Sequence, residues 1–120
     1  MSKQEELQSI IDQLRNAVPE IRGAIIASTD GLAIAQSLSS GDPNRVAAMA
    51  ATALGLGKRI TNTLNAGTLS ETTVTGSEGQ IFLYAAGSKG VLALITSREA
   101  NVGLINLEAR DAAQRVTDLL

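Results

Sequence analysis

The chain has 120 residues, 44% of them apolar and 18% charged, with a net charge of −2 and a sequence pI near 5.0. That length suits one domain spanning residues 1–120 with a core of its own, and the mild acidity argues against a nucleic-acid surface or a polybasic membrane anchor. The absence of cysteine and histidine excludes disulfides, thiolate nucleophiles, the common zinc sites and histidine-dependent base catalysis.

Ser2 followed three residues later by Glu5 forms a capping-box pattern, and Leu7, Ile10, Ile11 and Leu14 then recur at helical spacing. This first helix should end before Pro19, whose ring disfavours helical geometry in the preceding residue. The polar, acidic start does not resemble a secretory signal, and no apolar run approaches the ~18 residues of a membrane span. The expectation is a cytoplasmic protein without direct membrane insertion. Gly23 to Ser28 reads as a buried strand, Thr29-Asp30-Gly31 as a turn with the Asp-Gly hairpin signal, and Leu32 to Leu38 as the returning strand.

A long helix follows, from Asp42 to Gly67. Asp42 suits the N-cap, Pro43 the first helical position, and Gly67 a left-handed C-terminal cap. At about 100° per residue, Val46, Met49, Ala50, Ala53, Leu54, Leu56, Gly57, Ile60 and Leu64 fall in one broad stripe, the face expected on the sheet. Ala47, Ala48, Ala51 and Gly55 form the back, which continues to Lys58, Arg59 and Asn62. Solvated helices usually carry charge on that side, yet Arg45 is the only charged residue of the helix before Lys58. Small residues there let another backbone approach and gain dispersion contact, so a second helix is expected against this back; the alternative is that alanine is merely a good helix former.

Leu69 to Thr75 is rich in threonine and valine and reads as a half-exposed strand. Glu71 is its only charge, and such an unprotected edge invites pairing with another chain. A two-fold homodimer could join this edge, with Glu71 and Thr73, to its own copy while the two long helices pack side by side. Gly76-Ser77-Glu78-Gly79 turns the chain into Gln80 to Ala86, and Gly87-Ser88-Lys89-Gly90 turns it again into Val91 to Thr96, strands apolar on both faces that need cover on both. The last helix runs from about Ala100 to Leu120, with Leu104, Leu107, Ala112, Val116 and Leu119 in its apolar stripe. The order is therefore α-β-β-α-β-β-β-α, a mixed α/β (α+β) domain with antiparallel pairing within each strand group.

No catalytic signature stands out. Gly55-Leu56-Gly57-Lys58-Arg59 lacks both the earlier glycine and the Ser or Thr of a phosphate-binding loop, and it lies inside a helix. Gly76-Ser77-Glu78-Gly79 is not a nucleophile elbow. The carboxylates are scattered, and with two aromatic residues in all neither base stacking nor a specific small-molecule pocket is favoured. No cofactor, metal or nucleic-acid partner is expected, and the chain reads as a non-enzyme.

Two segments carry a family likeness. Gly23-Ala24-Ile25-Ile26-Ala27-Ser28-Thr29-Asp30-Gly31-Leu32, with its Asp-Gly turn, and Ala100-Asn101-Val102-Gly103-Leu104-Ile105-Asn106-Leu107, with its Gly-Leu step, resemble the opening hairpin and the start of the last helix of the Roadblock/LC7 family. The resemblance implies a five-stranded antiparallel sheet with the long helix on one face and the two terminal helices on the other. It also implies homodimers with paired long helices and joined edge strands. Bacterial members act with small Ras-like GTPases as regulators or activating partners; eukaryotic members are dynein light chains and lysosomal scaffold subunits. Carried over, the GTPase-facing surface would be Ala47, Ala48, Ala51, Thr52, Gly55, Lys58, Arg59 and Asn62, with Arg45 at its rim. The leading expectation is a regulator of a small Ras-like GTPase, with Arg45 and Arg59 as candidates to stabilise phosphoryl charge. The alternative is a scaffold subunit that leaves hydrolysis unchanged.

Overall fold

A computed structural model describes residues 1–120. Its elements are α1 (Lys3–Ala17), β1 (Ile21–Ser28), β2 (Ala33–Ser37), α2 (Pro43–Thr63), β3 (Glu71–Thr75), β4 (Gly79–Ala86), β5 (Gly90–Ser97) and α3 (Val102–Leu119). The strands form one antiparallel sheet in the order β2-β1-β5-β4-β3. This is the expected α+β arrangement, with β2 and β3 as its two edges.

Period-two alternation divides the strands between two cores. Phe82, Tyr84, Leu92, Leu94 and Ile26 face one side, where Leu7, Ile10, Ile11 and Leu14 of α1 and Ile105, Ala109, Ala112 and Val116 of α3 cover them in a cluster of 20 buried residues. Ile25, Leu83, Val91 and Ala93 face the other side, where α2 supplies Ala47, Ala50 and Leu54 to a cluster of only 8. The second core is thin because α2 lies close to the sheet on alanine and glycine.

Gly57 marks that approach. A Cβ there would stand 2.7 Å from Thr72 Oγ1 and 3.0 Å from Leu69 Cδ2, so a larger side chain requires Thr72 and Leu69 to shift or α2 to move away from them. Gly57→Leu is expected to lower the unfolding free energy by about 1–3 kcal/mol through overpacking, although leucine is the better helix former. Urea denaturation measures this directly, and unchanged stability would show that the helix can retreat freely.

The capping box at α1 forms as read: Ser2 Oγ accepts from Glu5 N and Glu5 Oε1 accepts from Ser2 N, each at 3.1 Å. Hydrogen bonding to Ser2, first its backbone N–H and then its side chain, holds the Glu5 carboxyl below its ordinary pKa. Asp42 caps α2, its side chain accepting from Asn44 N at 3.1 Å. The far end of α2 differs from the sequence expectation, which carried the helix to Gly67. The helix stops at Thr63 and Asn65 takes the left-handed position with φ 56. Ala66 N donates to Thr61 O at 2.8 Å and Asn65 N to Asn62 O at 3.4 Å, the two bonds of a Schellman cap. Asparagine tolerates that conformation well enough to act before Gly67 is reached. In α3 the stripe is also rotated: Leu107 is 67% exposed, and Ile105 and Ala109 take the core positions.

Candidate interaction surface on the long helix and the third strand

The structure turns α2 about its axis relative to the sequence expectation. The residues against the sheet are Ala47, Ala50, Leu54 and Gly57. Met49, Leu56, Ile60 and Leu64, expected on the sheet, are instead 59%, 57%, 50% and 71% exposed. A hydrophobic wheel aims the largest side chains at the core, but here small residues let the helix settle close and the large ones are left outside. Ala47, expected on the partner face, is correspondingly wholly buried in the chain's own core. Ala51 is half-buried at the margin of that core, and Lys58 is half-buried as well.

Two stripes remain on the outside of α2. Ala48, Thr52, Gly55, Arg59 and Asn62, all exposed, follow the spacing i, i+4, i+7, i+11, i+14. Arg45, also exposed, lies one turn before Ala48 and Met49. Gly55 has open space where a Cβ would be, and the Thr52 hydroxyl is turned back on Ala48 O at 2.8 Å. Ala48 lies against Gly31 of the β1–β2 turn, whose φ of +89 needs glycine. The second stripe is Met49, Ala53, Leu56, Ile60 and Leu64, spaced i, i+4, i+7, i+11, i+15. Ile60 and Leu64 stand three and seven positions beyond Gly57, the residue packed over Thr72, so this apolar stripe runs on the β3 side of the helix. Val74 of β3, 48% exposed, continues it. A shallow depression of about 340 Å³ lined by Ala48, Met49, Thr52, Ala53 and Leu56 joins the two stripes.

The edge strand β3 is anchored from the opposite face. Glu71 pairs with Arg110 of α3 at 2.5 Å, and across the ladder from Glu71 stands Tyr84, whose hydroxyl donates to Asn106 Oδ1. Burial pushes the Tyr84 phenol above its ordinary pKa, Glu71 adds to the rise and Arg110 opposes it. Glu71 is thus occupied within its own chain, while Thr73 is exposed. The apolar residues of the second stripe were not placed here by sequence reading. No signal within the helix separated the two flanks: Gly55 and Gly57 both cost helix stability against alanine, and only Gly57 has side chains packed against it.

No three acidic groups converge to hold a metal ion. No helix is long and apolar enough to cross a membrane. The architecture defines a sheet with helices on both faces, one apolar helix flank left uncovered, and one edge strand beside it. The chain belongs to the Roadblock/LC7 domain family, whose domain it matches over residues 7–96. Two uncharacterized proteins of Methanocaldococcus jannaschii are each 34% identical to it over 102 residues, covering 84% of this chain and 89% of theirs. Among solved structures it resembles a Roadblock/LC7 domain from Streptomyces avermitilis, with TM-score 0.86 and 24% identity over 92% of this chain and 94% of that one. It also resembles Myxococcus xanthus MglB, with TM-score 0.88 and 15% identity over 99% and 90%. These two likenesses establish the shared fold.

Proposed function

We propose that the chain is a non-catalytic homodimer that binds a small Ras-like GTPase and modulates its nucleotide cycle. The observation that carries the dimer is the exposed apolar stripe of Met49, Leu56, Ile60 and Leu64 beside an edge strand with no partner. Large apolar side chains gathered on one flank signal a surface made to be covered. A two-fold axis near β3 would pair the two edges and bring the two stripes together, each copy covering the other. Light scattering is expected to report twice the 12.4 kDa chain mass at micromolar concentration, and a concentration-independent monomer would overturn the dimer.

In such a dimer the outer stripe of Ala48, Thr52, Gly55, Arg59 and Asn62 stays open on both copies. The GTPase assignment rests on membership of a family whose bacterial members act with these enzymes, together with this uncovered second stripe. It deepens the surface expected from sequence and drops Ala47, which is spent in the core. Any acceleration of hydrolysis would come from positioning the GTPase's own groups or from an arginine, Arg59 or Arg45, reaching the developing phosphoryl charge. Arg59→Glu is expected to weaken binding of a cognate small Ras-like GTPase by about tenfold without changing the dimer mass. Unchanged affinity removes Arg59 from the surface. Binding without any change in hydrolysis rate would assign the chain to the scaffold role instead.

A further inference from the structure

The sheet has two edges, and they are not equivalent. In β1, Ser28 N donates to Leu32 O at 2.9 Å, and the register sets Ile26 opposite Ala35 and Ala24 opposite Ser37. Backbone direction alternates along a regular strand, so Ala35 and Ser37 bond inward and Gln36 points off the sheet; the register shifts at Ile34, which has no partner in β1, and its carbonyl also faces α1. These outward carbonyls are taken. The Gln4 side-chain amide donates to Ile34 O, and the Gln8 amide donates to Gln36 O at 3.0 Å. Gln36 in turn folds its own side-chain oxygen onto Leu38 N at 2.9 Å, one residue past the strand. Gln4 and Gln8 are one helical turn apart on α1, and Arg15, further along it, binds Ser37 Oγ at 2.6 Å.

At β3 the same alternation gives the opposite result. Ala85 N donates to Ser70 O at 3.3 Å and Gly76 N to Gly79 O at 2.8 Å, so the even positions bond inward and Glu71, Thr73 and Thr75 direct their backbone groups outward. None of those three backbones receives a side-chain hydrogen bond comparable to those of Gln4 and Gln8.

We propose that Gln4, Gln8 and Gln36 close the β2 edge against strand addition, so that a second copy of this chain pairs at β3 alone. The inference rests on the homodimer reading above and adds what limits it to two chains. A sheet with both edges open can pair β3 of one copy with β2 of the next, a head-to-tail contact that never closes and grows into a ribbon. With β2 sealed, only the self-complementary β3 contact remains, and that contact ends at a dimer. The seal is built from neutral side-chain amides, which satisfy the carbonyls at the cost of helix-surface positions that would otherwise be free.

The test is sedimentation and light scattering on the whole chain carrying Gln4→Ala and Gln8→Ala. Alanine keeps α1 helical and removes both amide donors. The expected result is species heavier than the dimer, growing with concentration, accompanied by slowed amide exchange at Gln36. Gln4→Lys with Gln8→Lys, which restores donors and adds edge charge, is expected to return the dimer. The proposal is overturned if the folded alanine variant keeps the wild-type mass at every concentration and the Gln36 amide exchanges as before. Should the double alanine chain unfold, Gln8→Ala alone is judged by the same two readouts. Thr73→Pro separates this from the dimer reading: it removes an outward N–H without touching the β4 ladder. A wild-type-sized dimer in Thr73→Pro would refute pairing at β3 while the outcome at β2 stands by itself.

Discussion

Leu56→Glu combined with Ile60→Glu is expected to halve the particle mass at micromolar concentration while leaving each chain folded. Both side chains stand half or more exposed in the single chain, so neither holds up the core, and surface substitutions of this kind usually change chain stability by about 0.5 kcal/mol or less. Their worth lies in what they would bury against a second copy. Complete burial of a leucine or isoleucine contributes about 1.5–3 kcal/mol. Each is already about half buried in the single chain and a two-fold interface counts each residue twice, so the pair supplies roughly 3–6 kcal/mol of gross attraction, from which the cost of association is subtracted. Replacing that attraction with four carboxylates facing one another adds repulsion. Sedimentation equilibrium reads the outcome. A double variant that still forms the wild-type dimer would move the interface off this flank of α2 and leave the apolar stripe to some other partner.

Most of the fold was legible because its signals are local. The Ser2 and Asp42 caps, the Asp30-Gly31 turn and the two-sided apolar runs of β4 and β5 each follow from a residue and its near neighbours. The rotation of α2 was not legible in the same way. A helix that is apolar around most of its circumference has no polar face to orient it, so the wheel was aimed by side-chain size. The structure is oriented instead by how near the helix comes to the sheet, which Ala47, Ala50 and Gly57 decide jointly with Thr72 and Leu69. Those partners lie far from Ala47 in the sequence, so no pattern within the helix could report them. The same limit explains Leu107, which periodicity buries and the packing of α3 leaves exposed. Ala48, Thr52, Gly55, Arg59 and Asn62 lie on the outer side of α2, where the wheel puts them, but Met49, Leu56, Ile60 and Leu64, which the wheel puts on the sheet, are exposed as well. The seal on β2 could not be read at all, because glutamines at positions 4 and 8 look like ordinary helix surface until the strand beside them is known.

Leu54→Ala should cost about 2–5 kcal/mol of unfolding free energy, from a position two residues before Leu56. Leu54 is 1% exposed, and it is the only side chain larger than alanine among the four α2 residues buried against the sheet. Of its seven buried companions in that cluster, Ala27, Ala47, Ala50 and Ala93 have no atoms beyond Cβ to move into the space it would vacate. The cavity would therefore persist, and residual cavity volume is what carries such substitutions to the upper part of their range. The loss should be uneven. Amide exchange ought to quicken through α2 while the sheet, α1 and α3 stay protected, because the larger core on the other face contains no part of α2. Comparing Leu54→Ala with Leu56→Ala then assigns the two sides of one helix without a partner protein. Where folding and association are coupled, the melting temperature depends on protein concentration. Leu54→Ala should lower the melting temperature at every concentration, whereas Leu56→Ala should chiefly weaken that concentration dependence. If the two substitutions behaved alike, α2 would not divide into a core face and a partner face, and the dimer drawn from its apolar stripe would lose its main support.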